Sequence, residues 1–271
     1  MPELPEVETT RNGIAPHSVG KILTKVIVRN ASLRWPIPSD LPQTIQNQKL
    51  LNLSRRGKYL LFRFNHGHLI VHLGMSGSLR VMPTNAPPTK HDHVDLGFGK
   101  YCLRFNDPRR FGCILWTPKP IDSHELLAHL GPEPLLSEFN ADYLHMRSRK
   151  RTQGVKTFVM DSRIVVGVGN IYANEALFNA SIHPLKAAGK LSKNNCETLV
   201  AEIKQVLDHA IQRGGTTLKD FVGGDGKPGY FAQELNVYGR GGQACNNCGK
   251  TLTEKAISQR TTVYCTKCQS L

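Results

Sequence analysis

Two places in this chain hold residue types that do chemistry. Near one end, Cys245 and Cys248 form one pair and Cys265 and Cys268 another, with sixteen residues between the pairs. Each Cys-x-x-Cys knuckle can grip one metal ion from a tight turn, and the intervening segment is long enough for a β-hairpin that brings the pairs together. Four thiolates in a tetrahedral array make a closed, structural zinc site. The alternative is two disulfides, which suits a secreted protein. The other end reads Met1-Pro2-Glu3-Leu4-Pro5-Glu6. Removal of Met1 would expose Pro2 as a secondary amine with a reference pKa of about 8, so part of it is nucleophilic at neutral pH. Such an amine attacking an aldehydic carbon forms an iminium that cannot discharge by losing a proton from nitrogen. Glu3 and Glu6 lie within a helical turn of it and can serve as acid and base. On residue types alone, an acidic, proline-rich opening is more simply the start of a helix.

The elements that must position these groups follow from periodicity. Residues 1–13 read as a short opening helix. Period-two patterning then predicts eight strands over Lys21–Val28, Leu50–Leu53, Lys58–Phe64, His68–Leu73, Ser78–Met82, His93–Phe98, Tyr101–Phe105 and Cys113–Trp116. That succession, broken by tight turns, predicts a β-sandwich or barrel. Around Gly131-Pro132-Glu133-Pro134 the pattern becomes helical, and the clearest helix runs from Ser192 to Arg213 before Gly214-Gly215. A glycine-rich stretch over 223–229 reads as a mobile loop. Lys and Arg number 35 against 21 Asp and Glu, a net charge of +14. Such an excess favours a polyanionic partner, nucleic acid or an anionic membrane surface. No apolar run reaches the roughly 18 residues of a spanning helix, and no basic amphipathic helix stands out. The start lacks a signal-peptide pattern, and Cys102, Cys113 and Cys196 lie in apolar or helical settings. Reduced core thiols and a reducing cytosol are therefore expected.

The opening Met1-Pro2-Glu3-Leu4-Pro5-Glu6-Val7-Glu8-Thr9 resembles that of the bacterial formamidopyrimidine-DNA glycosylase family, which repairs 8-oxoguanine. The resemblance extends along the chain through Arg56-Gly57-Lys58-Tyr59-Leu60, His72-Leu73-Gly74-Met75-Ser76-Gly77, Lys90-His91-Asp92-His93-Val94-Asp95, Asp107-Pro108-Arg109-Arg110-Phe111-Gly112, Gly167-Val168-Gly169-Asn170-Ile171-Tyr172, Gly214-Gly215-Thr216-Thr217 and the paired cysteines. It implies Pro2 as nucleophile, Glu3 as the acid that helps open the sugar ring, and Glu6 in the same pocket. It implies Lys58 as an acid/base that also contacts phosphate; otherwise Lys58 reads as a solvated strand-end residue. Met75, Arg109 and Phe111 become a wedge that fills the space of an extruded base, with Arg109 facing the partner cytosine. The plainer reading makes Met75 and Phe111 core residues. His91, Arg151 and Asn170 are implied as phosphate contacts, Asn170 also opening and capping a helix in a helix-two-turn-helix. Arg151 ends the basic run of Arg147, Arg149 and Lys150, which by itself reads as a solvated face. Arg260, on the expected zinc hairpin, is implied to grip phosphates at the lesion and support the second elimination.

The resulting expectation is an α+β multidomain protein. An N-terminal catalytic β-sandwich with flanking helices spans 1–131. A helical DNA-binding domain with the helix-two-turn-helix spans 132–235, and a four-cysteine β-hairpin zinc finger spans 236–271. One structural zinc ion and no redox cofactor are expected. The expected partner is damaged double-stranded DNA, the state monomeric, and the location the bacterial cytoplasm at the nucleoid. Two rivals are a sister enzyme of the endonuclease VIII type acting on oxidised pyrimidines, and a non-enzymatic zinc-finger DNA-binding protein. The second leaves Pro2, Glu3 and Lys58 without a task.

Overall fold

The computed structural model describes residues 2–216 and 234–271. The chain forms two compact units, Met1–Ala128 with Arg213–Ala232 and His129–Gln212 with Gln233–Leu271.

The first unit opens with α1 (Leu4–Ser18), followed by β1 (Lys25–Val28), α2 (Leu41–Ile45), β2 (Asn52–Arg56), β3 (Tyr59–Phe64), β4 (Gly67–His72), β5 (Ser78–Pro83), β6 (Asp92–Phe98), β7 (Tyr101–Asn106) and β8 (Cys113–Thr117). Two four-stranded sheets result, ordered β1-β6-β7-β5 and β2-β3-β4-β8. All their pairings are antiparallel. Leu53, Leu60, Phe62 and Val71 of one sheet share a buried cluster with Leu79, Val94, Leu96, Leu103 and Phe105 of the other, and with Val7 and Ile14 of α1. This is the expected sandwich, its inner faces drawn together by alternating apolar side chains.

All eight expected strands form, with shifted ends. The first begins at Lys25 rather than Lys21, because Ile22 makes only an isolated bridge, to Lys49. The second is Asn52–Arg56 rather than Leu50–Leu53, since its pairing with β3 runs to Arg56 opposite Tyr59. The opening helix, expected to end near residue 13, continues to Ser18. Ile14 is fully buried in the sandwich cluster. Its burial outweighs the cost of about 1 kcal/mol for Gly13 within a helix.

The second unit holds α3 (Ala141–Ser148), α4 (Val155–Val159), α5 (Asn170–Asn179), α6 (Lys193–Gln212) and the hairpin β9 (Thr253–Ile257) and β10 (Arg260–Tyr264). The α6 helix buries Cys196, Leu199, Val200, Ile203, Val206, Leu207 and Ala210 on one face. The Ser192 hydroxyl accepts the Asn195 N–H at 3.0 Å at its start. Every residue of α5 from Ile171 to Phe178 is buried, which makes it the central helix of the unit. Cys102, Cys113 and Cys196 are buried free thiols. The glycine-rich stretch 223–229 lies outside the described residues. Among the described residues no helix is long and apolar enough to cross a membrane.

Candidate functional site

A helix start brings the candidate N-terminal groups together. Glu3 caps α1 in a reciprocal capping box, in which its side chain accepts the Glu6 backbone N–H and the Glu6 carboxylate accepts the Glu3 N–H at 2.8 Å. The second Glu6 oxygen accepts the Thr216 N–H at 2.8 Å. Glu3 and Glu6 are each only 2% exposed, and Pro2 beside them is buried. Burying two carboxylates is costly unless hydrogen bonds offset it. The sequence thus places Pro2 at a helix start, and the fold withdraws that start and its two acids from water.

Lys58 stands on the two-residue turn between β2 and β3, where Arg56 pairs with Tyr59. Gly57 precedes it at φ +56. Glycine at the first central position is the signature of a tight hairpin turn of the II′ type, which leaves Lys58 at the tip.

The expected wedge comes from two loops. Met75 is 41% exposed and Phe111 44%, so neither is a core residue. The Arg109 guanidinium lies 5.1 Å from the centre of the Phe111 ring. Arg34, His72, Gly74, Met75, Arg110 and Phe111 line one cavity of about 590 Å³. The loops touch backbone to backbone, since a Cβ on Gly74 would lie 2.5 Å from the Phe111 carbonyl carbon. Asp107, wholly buried, is their common anchor. Its carboxylate accepts the Ser76 hydroxyl at 2.9 Å, the Gly112 N–H at 2.8 Å and the Arg109 N–H at 3.3 Å. Its backbone N–H also donates to the carbonyl of His91, which is half-buried. No spacing in the sequence singles out Asp107 for this task. His72 braces the Met75 turn by accepting the Gly74 N–H on Nδ1 at 2.9 Å. Burial, then the charges of Lys58 and Arg34, push its pKa down to about 4, so the ring is neutral at pH 7.

In the second unit, α5 meets β10. The sequence predicts Asn170 as the cap of α5, but the cap position is Gly169 and Asn170 is the first helical residue. Its side chain instead donates to the Thr261 carbonyl at 2.9 Å, because the hairpin strand packs against this helix end. Lys156 is 2% exposed and reaches the same strand, with Nζ donating to the Thr261 carbonyl at 3.0 Å and the Thr262 hydroxyl at 2.7 Å. Asn174 accepts the Val263 N–H at 2.9 Å. Neither Lys156 nor Asn174 belongs to a recognisable spacing, and sequence reasoning passes over both. Arg260 opens β10 beside the Ser258-Gln259 turn and lines a recess of about 330 Å³ with Lys156, Asp161 and Arg163. The basic run divides. Arg147 and Arg149 donate to the carbonyls of Arg163 and of His145 and Leu191, and Arg149, Lys150 and Arg151 are exposed.

The four cysteine sulfurs Cys245, Cys248, Cys265 and Cys268 lie within 4.8 Å of one another. Cys245 and Cys268 are 3.9 Å apart, and Cys248 and Cys265 3.5 Å. A disulfide needs about 2.05 Å, whereas tetrahedral zinc at about 2.3 Å from each sulfur spaces them by about 3.8 Å. Burial pushes the Cys265 thiol up, but the backbone N–H groups of Cys268 and Lys267 outweigh it and bring it down to about 7. Burial and then the neighbouring sulfurs push Cys268 up to about 12, a repulsion that a divalent cation relieves. The residues fit one structural zinc ion, with no position left for a substrate.

Comparison with known proteins agrees with this geometry. Residues 1–114 match the formamidopyrimidine-DNA glycosylase N-terminal domain, residues 130–222 the H2TH domain of formamidopyrimidine-DNA glycosylase, and residues 242–271 a zinc finger found in FPG and IleRS. The formamidopyrimidine-DNA glycosylase of Saccharophagus degradans is 67% identical over 270 residues, covering 99% of this chain and 100% of that protein. The one from Cellvibrio japonicus is 58% identical over 269 residues, with 99% and 100% covered. The crystal structure of the MutM (Fpg) protein of Thermus thermophilus superposes with a TM-score of 0.89 at 35% identity, covering 99% of this chain and 98% of that one. The Lactococcus lactis Fpg in complex with DNA containing an abasic site gives 0.91 at 31% identity, with both chains fully covered. The chain belongs to the formamidopyrimidine-DNA glycosylase family.

Proposed function

We propose that this protein is a base-excision-repair DNA glycosylase with AP lyase activity that removes oxidised purines, 8-oxoguanine and formamidopyrimidines, from duplex DNA. The observation that carries the reading is the buried Pro2 flanked by two buried carboxylates, Glu3 and Glu6, at the start of one helix. The Pro2 nitrogen attacks C1′ of an extruded nucleotide, and the bond to the base breaks. Glu3 donates the proton that opens the sugar ring, which leaves an iminium on Pro2. Removal of a C2′ proton, with Lys58 as base, expels the 3′ phosphate. A second elimination expels the 5′ phosphate, with Arg260 holding the phosphates. Met75, Arg109 and Phe111 fill the vacated stack at a cost of a few kcal/mol, and Arg109 pairs with the orphaned cytosine. His91, Arg151 and Asn170 hold the phosphate backbone. Zinc takes no part in bond breaking; it stiffens the hairpin that aims Arg260.

We assign residues 1–131 to the catalytic domain, 132–235 to the helix-two-turn-helix domain and 236–271 to the zinc finger. The working form is a cytoplasmic monomer associated with the nucleoid through DNA. One solved structure of Lactococcus lactis Fpg is a complex with DNA containing an oxidised pyrimidine. Cleavage of matched duplexes bearing 8-oxoguanine or thymine glycol therefore measures preference in this chain, and 8-oxoguanine opposite cytosine is expected to be cut faster.

Borohydride trapping tests the mechanism. Protein with Pro2 at its terminus is expected to form a covalent adduct with an 8-oxoguanine duplex. An extra residue ahead of Pro2 turns the amine into an amide and is expected to abolish the adduct. An adduct that persists with Pro2 blocked would sink the reading.

A further inference from the structure

The proposed chemistry needs Pro2 and Lys58 in register, yet they come from different elements. Pro2 precedes α1, and Lys58 sits on the β2–β3 turn. The Arg55–Glu8 ion pair joins the two elements. Arg55 Nε donates to Glu8 Oε2 at 2.8 Å, and Arg55 Nη1 donates to the Gly57 carbonyl at 2.9 Å. A single guanidinium thus holds the helix that starts at the nucleophile and the peptide immediately before Lys58. The side chains of Arg55 and Glu8 are only 11% and 16% exposed, so the pair is shielded from the screening that weakens surface ion pairs. The other Glu8 oxygen is taken by Arg11 at 2.6 Å. Burial pushes Glu8 up, but the Arg11 and Arg55 guanidiniums outweigh it and hold the carboxyl below the usual range. Glu8 is therefore ionised at neutral pH.

We propose that Glu8 and Arg55 are positioning residues, a rigid strut that sets the Lys58 amine against the Pro2 nitrogen. The proposal rests on the roles given to Pro2 and Lys58 above. Both strut residues lie outside the reacting set proposed above; Arg55 donates to Glu8 and Gly57, and Glu8 accepts from Arg55 and Arg11. The planar fork of arginine is what allows two acceptors in different elements to be held in one plane. Lysine, a point charge on a flexible stem, holds them without fixed geometry. Glutamine at position 8 keeps the shape and removes the charge that orients the fork.

The test uses the full-length, zinc-loaded protein with the variants Glu8→Gln, Arg55→Lys and the double variant. Single-turnover base excision, borohydride trapping on a preformed abasic site, Kd for a duplex with an uncleavable abasic analogue, and Tm are measured. Each single variant is expected to lose about tenfold in excision rate and in trapping rate, with Kd changed less than about threefold. The double variant is expected to lose no more than the worse single, because one guanidinium forms one link. Rates within about twofold of wild type in both singles overturn the proposal. So does a loss confined to Kd, a multiplicative loss in the double variant, or a collapse of Tm, which would make the pair a folding contact. A wild-type protein that never traps defeats the glycosylase reading instead; a wild type that traps beside unaffected variants defeats only the strut.

Discussion

Two hairpins carry the cations proposed for the eliminations, Lys58 in the two-residue turn of β2–β3 and Arg260 directly after that of β9–β10. They are held in opposite ways. The β2–β3 hairpin is half of a four-stranded sheet, and Leu53, Leu60 and Phe62 enter a large apolar cluster. The β9–β10 hairpin is a two-stranded sheet by itself, and no residue of β9 is fully buried. Among the described residues the buried members of its cluster are Phe178, Val237, Cys245, Leu252, Val263 and Cys265, two of them zinc cysteines. An isolated two-stranded hairpin is marginal in water. Metal coordination and the buried Lys156 substitute for the missing core. The turns differ too. Gly57 holds its positive φ with no side chain to strain, whereas Ser258 and Gln259 hold +49° and +60° with one. Left-handed non-glycine residues cost about 1–2 kcal/mol each and persist where surrounding contacts over-determine them. Burial is enough to aim a cation when a sheet backs it; a small module needs a metal.

That contrast can be broken most directly by removing zinc. Structural zinc contributes on the order of 10–16 kcal/mol in zinc-finger peptides. Stripping it with a mercurial and chelator is expected to erase amide protection across β9–β10 and to weaken duplex binding by about a hundredfold or more. The unfolding transition of the β-sandwich unit should stay where it was. If the sandwich unfolds as well, the two hairpins are not independently supported.

A smaller effect is expected from Lys156→Met, which keeps the stem and removes the amine. Loss of its bonds to Thr261 and Thr262 is expected to cost about 1–3 kcal/mol. Amide exchange should accelerate locally around Arg260 while zinc stays bound. A variant with unaltered exchange in β10 would show that the cysteines alone suffice.

The smallest effect concerns the sandwich side, where His72 braces the Met75 turn. Its folded pKa, about 4, lies below the ordinary 6.5. Between those values the unfolded chain binds the extra proton. The stabilisation is therefore whole above pH 6.5 and is lost as pH falls toward 4. Protonated Nδ1 can no longer accept the Gly74 N–H, so exchange of that amide should quicken over the same interval relative to neighbouring amides. An NMR titration that places the His72 ring near its ordinary 6.5 would contradict this.

Much of the scaffold was legible along the chain. Alternating apolar residues announced every sandwich strand, because period-two burial is a local property. The apolar face of α6 was visible for the same reason, and the cysteine knuckles declare themselves by spacing. Strand ends were less legible. Ile22 has strand-forming character, but its pairing with the 47–50 segment is too short for a strand and amounts to a single bridge to Lys49 flanked by the backbone bonds of Lys21 and Leu23. Asn170 misleads in one respect, since a short polar residue after glycine looks like a cap until the neighbouring strand claims its amide.

What the sequence by itself determined is the sandwich strands, the zinc-binding knuckles and the acidic proline start, because each is written in neighbours or in a short repeat. Only the tertiary structure decided which distant residues brace the opening helix, the Met75 and Arg109 loops and the zinc-finger hairpin. The Arg55–Glu8 bond spans 47 positions, the Ser76–Asp107 bond 31 and the Lys156–Thr261 bond 105. Bonds over such separations obey no period and leave no spacing to read, since they exist only where packing brings two distant backbones together.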